Sequence, residues 1–132
     1  MSDADRKQTS AEAKAIVMRL VHEVINAGRL EVIDDLYTAE LADGAKRWIA
    51  PFRAAFPDVH MDIVELIAEG DTVVGRFRCS GTHQGPWLGQ PPTRRRFHRI
   101  DEVYIFRTQQ GRITHAWGLE DTHRRLKQLR LR

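Results

Sequence analysis

Apolar positions recur at a helical period through the first half of the chain and at a period of two through the second, which predicts helices followed by strands. Val17, Leu20, Val21 and Val24 share one helical face. Ahead of them Thr9-Ser10-Ala11-Glu12 has the spacing of a capping box, and Gly28 supplies the stop. Val32, Ile33, Leu36 and Tyr37 mark a second, short helix from about Leu30 to Tyr37. Ala45, Trp48, Ile49, Phe52 and Phe56 mark a third, which Pro51 is expected to kink or divide because it has no N–H to donate. From Val59 onward, alternating β-branched and aromatic residues predict four strands, at about 59–68, 72–82, 95–107 and 112–119. Glu69-Gly70-Asp71 and Gln109-Gln110-Gly111 read as tight turns, so the sheet is expected to be mainly antiparallel. A short helix from Thr122 to Leu129 closes the chain. Helices first and strands after them argue for an α+β domain, in which helices laid on one face of a curved sheet form a cone with a pocket at its unfilled end.

Composition narrows this picture. The 132 residues are 42% hydrophobic and 30% charged, enough for one core. A single domain over residues 10–132 is expected, behind a flexible N-terminus at 1–9. No apolar run approaches the ~20 residues of a membrane span, and the polar start is unlike a signal peptide, so a cytoplasmic protein is expected. The lone Cys79 leaves no partner for a disulfide or a thiolate metal site. The net charge of +3 is concentrated in Arg94-Arg95-Arg96 with Arg99 and in the tail from Arg124 to Arg132. Without interleaved aromatics these read as solvated faces, and no nucleic-acid partner is expected.

The candidate chemistry follows from strand parity. If no bulge intervenes, Ile113, His115, Trp117, Leu119 and Asp121 share the face that looks toward the helices. Asp121 would then sit in an apolar cavity whose desolvation suits a carboxyl to acid–base work; alternatively it caps the last helix. His98, Ile100, Tyr104 and Phe106 share a parity on the third strand, with Glu102 on the same face and Asp101 on the other. His83 is expected at the cavity mouth or as a hydrogen-bonded rim residue, and Trp87, in the long 81–93 loop, as a lid or a loop anchor. The six histidines show no metal-ligand spacing, and neither a Gly-rich phosphate loop nor a Gly-x-Ser-x-Gly elbow occurs, so neither metal nor cofactor is expected.

Four segments carry a resemblance: Phe52-Arg53-Ala54-Ala55-Phe56-Pro57-Asp58, Ile67-Ala68-Glu69-Gly70-Asp71, Gly81-Thr82-His83-Gln84-Gly85 with Gly89-Gln90-Pro91-Pro92-Thr93, and Gly111-Arg112-Ile113 leading to Trp117-Gly118-Leu119-Glu120-Asp121. In order they resemble the SnoaL-like polyketide cyclases of the NTF2-like superfamily, over about residues 10 to 129. The resemblance implies a cofactor-free enzyme that closes a ring of a polyketide methyl ester by intramolecular aldol condensation, and it matches the family's acid–base aspartate to Asp121. Tyr104 stands where the family often has a histidine, so Tyr104 or His98 is expected to stabilise the oxyanion. Trp48, Phe52, His83, Trp87 and Trp117 are expected to line the site and orient a flat polyketide-like or aromatic substrate. The family's extra strand between the second and third helices is missing here, where only Tyr37 to Gly44 remains. A homodimer is expected across the convex sheet face, assigned to Thr114, Ala116 and Gly118. A cofactor-free hydroxylase or isomerase, or a ligand-binding domain without catalysis, are the alternatives on the same scaffold.

Overall fold

The computed structural model describes residues 2–131. Helix α1 (Asp3–Arg19) runs on into a π-helical segment, Leu20–Asn26. A short 3-10 turn (Leu30–Val32) leads into α2 (Ile33–Leu36), and α3 spans Ala39–Ala55. Strands β1 (His60–Glu69), β2 (Thr72–Thr82), β3 (Arg96–Gln109) and β4 (Arg112–Glu120) follow, then α4 (Thr122–Leu129). The sheet order is β1-β2-β3-β4 with every neighbouring pair antiparallel. This is the expected α+β arrangement of the NTF2-like type, with helices on one face of a curved, open sheet. Among the described residues no helix is long and apolar enough to cross a membrane.

Two local expectations are corrected. The first helix starts at Asp3, not at Thr9, so most of the stretch expected as a flexible tail is helical. Ser2 is its N-cap: the Ser2 hydroxyl accepts from Asp5 N at 3.0 Å and Asp5 Oδ2 accepts from Ser2 N at 3.4 Å. That is a capping box with Asp in place of the usual Glu. Thr9 lies inside the helix and donates to the Asp5 carbonyl instead. Pro51 does not divide α3.

The π-helical segment widens the last turns of the first helix, a geometry that re-aims side chains. Asn26 thereby reaches β1, its Nδ2 donating to Met61 O at 3.0 Å and its Oδ1 accepting from Met61 N at 2.7 Å. The guanidinium of Arg53 donates to the carbonyls of Ile25 and Asn26, satisfying the end of the helix. The short link between α2 and α3 is pinned to the sheet by a parallel bridge of Tyr37 to Ile113, with Thr38 N donating to Ile113 O at 3.1 Å. That isolated bridge occupies the place of the strand expected to be missing here.

Three register breaks decide which side chains face inward. In β1 the pairing skips Val64. In β3, Ser80 of β2 stands opposite both His98 and Arg99, between the pairs Cys79–Ile100 and Gly81–Phe97, and Arg99 takes φ 53°. In β4, the pairs Arg107–His115 and Thr108–Ile113 leave Thr114 as the extra residue. Each is a β-bulge, and each inverts the parity of the strand beyond it. Ile113 is fully buried, but beyond the bulge Ala116, Gly118 and Glu120 face the helices. Leu119, expected inside, is 65% exposed on the convex face, and Trp117 is 55% exposed. Ala116 and Gly118, expected on the convex face, therefore line the pocket on the other face.

Candidate active site

Between the π-helical segment, α3 and strands β2 to β4 lies a pocket of about 440 Å³. Its walls are mostly apolar: Leu20, Ile25, Leu41, Trp48, Phe77 and Phe106 are typical. Tyr37, Tyr104 and Glu120 supply its titratable groups, and Trp117 borders it from β4 with its side chain turned to the convex face. Trp48 and Tyr104 present nearly parallel rings, 15° apart with centroids at 6.5 Å. The shortened link after α2 does not open this wall, because the buried Tyr37 and α3 itself close it.

One side of the pocket is polar and tightly organised. Arg125 is fully buried on the inner face of α4, its guanidinium 5.2 Å from the centre of the Phe52 ring and 4.7 Å from that of Phe97. Its Nη2 donates to Glu102 Oε2 at 2.6 Å and its Nη1 to Glu120 Oε1 at 3.1 Å. The Tyr104 hydroxyl lies 2.8 Å from Glu102 Oε1 and 3.1 Å from Glu120 Oε2. Glu102 is 2% exposed, whereas the Glu120 side chain, at the pocket, is 35% exposed. Burial pushes the Glu102 carboxyl up from its ordinary value against the pull of Arg125, with Glu120 adding to the rise. Burial, reinforced by both carboxylates, drives the Tyr104 hydroxyl upward too, so it stays protonated. Gly118 allows this placement: a Cβ there would lie 2.1 Å from the Tyr104 ring.

Asp121 is not part of this group. The Thr114 bulge turns it outward with Leu119, and it is exposed as the N-cap of α4, its Oδ1 accepting from Arg124 N at 3.0 Å. Of the two roles open from the sequence, the structure has the cap. His98 is corrected likewise. The β3 bulge leaves it exposed, with its backbone N–H donating to Gln128 Oε1 at 2.6 Å, away from the pocket lining. Phe52 reaches the site only through Arg125. His83 is fully buried and anchors the long loop, its Nδ1 accepting from Thr93 N at 3.1 Å. Burial holds its pKa down and keeps that nitrogen free to accept. Trp87 packs edge-on against Phe52 and Phe56 as a loop anchor, and lines no part of the pocket. Of the expected site residues, the pocket thus brings together Trp48 and Tyr104, while the β4 bulge sends the Trp117 side chain to the convex face.

Glu120 and Arg125 were not anticipated as site residues. Arg125 carried a usable signal: Asp121, Arg125 and Leu129 recur every four residues, so an arginine sits on the same helical face as the buried Leu129. Among the described residues no group of three or more His, Cys, Asp or Glu could hold a metal ion.

Comparison with known proteins agrees with this architecture. Residues 15–129 match the SnoaL-like polyketide cyclase family. A curated relative is the aklanonic acid methyl ester cyclase DauD of Streptomyces sp. (strain C5), 28% identical over 95 residues, or 71% of this chain. The match spans only 56% of that relative's length. Among solved structures, a proposed SnoaL-like polyketide cyclase from Jannaschia Sp. CCS1 superposes with a TM-score of 0.84 at 21% identity, covering 92% of this chain and 93% of that one. At that identity the likeness concerns the fold. IdmH from Streptomyces antibioticus, proposed to be a polyketide cyclase, gives a TM-score of 0.77 at 26% identity over 90% of this chain and 99% of its own. AclR from Streptomyces galilaeus, proposed to be a hydroxylase, gives 0.79 at 26% identity over 91% and 82%.

Proposed function

Since this chain belongs to the SnoaL-like polyketide cyclase family, we propose that it is a small-molecule enzyme closing a ring of a flat, poly-oxo substrate by intramolecular aldol addition, with Glu120 as its acid–base group. The observation that carries this reading is a carboxylate on the wall of an otherwise apolar pocket, steadied by Arg125 and Tyr104. A methylene between two carbonyls is acidic enough for such a carboxylate to deprotonate. The enolate attacks a facing carbonyl, a C–C bond forms, and Glu120 returns the proton to the alkoxide. Atoms and charge balance without a cofactor. Tyr104, whose one hydroxyl proton is retained and directed at the neighbouring carboxyls, would steady Glu120 rather than the developing oxyanion. Trp48 and Tyr104 would hold the planar part of the substrate, and folding a flexible chain into a near-attack geometry would supply much of the rate. Asp121 keeps its role as a helix cap.

The test is turnover of a poly-β-keto methyl ester able to close one ring. Catalysed addition yields a cyclic product of unchanged mass. A product heavier by one oxygen supports instead the cofactor-free hydroxylase, the second reading, which the likeness to AclR favours. Bound but unconverted ester supports the ligand-binding alternative.

The convex sheet face bears on assembly. Ile67, Val74, Val103, Trp117 and Leu119 are exposed there, and strand pairing sets Ile67 beside Val74 and Val103 beside Leu119. An exposed apolar band of this kind is suited to a second copy, and we propose a homodimer through it. Sedimentation at micromolar concentration is expected to give twice the 15.2 kDa chain mass, and Leu119→Glu is expected to shift it to monomer. A wild-type monomer would remove the proposal.

A further inference from the structure

The Tyr104 hydroxyl faces more carboxyl oxygens than its one hydrogen can serve. Tyr104 has one hydroxyl proton but faces two carboxyl oxygens within hydrogen-bond distance, Glu102 Oε1 at 2.8 Å and Glu120 Oε2 at 3.1 Å. Ionised carboxylates only accept. If both were ionised, one of these contacts would set two oxygens lone pair to lone pair beside a carboxyl that is 2% exposed, a costly arrangement. The other two carboxyl oxygens, Glu102 Oε2 and Glu120 Oε1, already accept from Arg125. One more proton, on an oxygen facing Tyr104, makes every contact favourable.

We propose that Glu102, Tyr104 and Glu120 hold one exchangeable proton in common, moved between the two carboxyls through the Tyr104 hydroxyl. In one arrangement Glu102 carries it and donates to Tyr104, which donates to an ionised Glu120. When the Glu102 proton passes to the tyrosine oxygen and the tyrosine's own proton passes to Glu120, the second arrangement results. Now Glu120 is the acid, and Tyr104 donates to an ionised Glu102. The cluster carries one negative charge in both, opposite the single positive charge of Arg125. Glu120 therefore faces the pocket as a base in the first arrangement and as an acid in the second, as ring closure requires.

The surroundings support a retained proton. Around Glu102 stand Tyr104 on β3, Glu120 on β4, Arg125 on α4 and the thiol of Cys79 on β2, which burial, reinforced by Glu102, keeps protonated. One cation thus serves two carboxyls. Glu102 lies behind Tyr104, outside the pocket lining, and is a positioning residue that stores the proton.

This inference rests on the reading of Glu120 as the acid–base group, yet its test needs no substrate. The wild-type protein, with its glutamate side-chain carboxyls labelled with carbon-13, is titrated by NMR. Of its eight glutamates, one carboxyl proton is expected to survive at neutral pH, and the Glu102 and Glu120 resonances are expected to move together in the step that removes it. Tyr104→Phe is expected to split that joint step into two. Glu102→Gln is expected to abolish it and leave Glu120 titrating alone. All eight carboxyls ionised at neutral pH, or a joint step that survives in Tyr104→Phe, would overturn the proposal. An inactive protein that keeps the joint step would sink the catalytic reading alone; an active one without it would sink only the shared proton.

Discussion

Replacing Arg125 by methionine is expected to destabilise the protein by about 3–5 kcal/mol, the usual cost of leaving a buried charge without its partner. For a domain of this size that is a fall in Tm on the order of 10–20 °C. The guanidinium is fully buried between two phenyl rings and ties α4 to both β3 and β4 through Glu102 and Glu120. Methionine can fill much of the volume but donates nothing. Glu102 then escapes its isolation only by taking a proton. Its pKa, already raised in the native protein, rises further, and the sign of the pH dependence follows. A carboxyl with a folded pKa above its unfolded one contributes stability fully below the unfolded value, and loses it as pH climbs through the folded one. The deficit of Arg125→Met should therefore be smallest under mildly acidic conditions and largest above neutrality. Adding Glu102→Gln should recover most of the loss, since no charge is then left buried behind Tyr104. Thermal unfolding of the single and double variants across pH checks this; a single variant as stable as wild type would mean that Arg125 does not hold the cluster.

Most of the fold is legible in the sequence because hydrophobic period and turn chemistry are local. The β2 limits at Thr72 and Thr82 and the α4 limits at Thr122 and Leu129 agree with the alternation, the Gly70 turn and the Asp121 cap that predict them. The helix start at Ser2 was obscured because its capping partner is the shorter Asp5, while Thr9 and Glu12 imitate a better box. The site is less legible for a different reason. A bulge depends on what lies across the ladder, and neither Thr114 nor the His98-Arg99 pair differs in kind from an ordinary strand residue. One inserted residue in β4 exchanges Glu120 for Asp121, and one in β3 turns His98 outward while leaving Glu102 and Tyr104 within. Tyr104 and Trp48 were within reach because their assignment to the pocket did not hang on the parity beyond the β4 bulge, which turned Trp117 outward with Leu119.

Glu120 and Asp121 are neighbours in sequence with opposite surroundings, so they form a matched pair of substitutions. Glu120→Gln keeps the size and part of the hydrogen bonding to Tyr104 and Arg125 but cannot take a proton from carbon; turnover should fall by ~10²–10⁴-fold, the worth of a positioned acid–base group. Binding of a flat aromatic ligand, followed by tryptophan fluorescence from Trp48, should persist, which assigns the loss to chemistry. Asp121→Asn should leave turnover nearly unchanged, because asparagine caps α4 about as well as aspartate does. Asp121→Ala should cost ~0.5–2 kcal/mol of stability for the lost cap, again with activity retained in the folded protein. The proton-handling role of Glu120 is tested most directly by single-turnover rates of Glu120→Gln and Asp121→Asn on the same poly-β-keto methyl ester. Loss in the first with retention in the second is the predicted result; a fully active Glu120→Gln, or an inactive but folded Asp121→Asn, would contradict it.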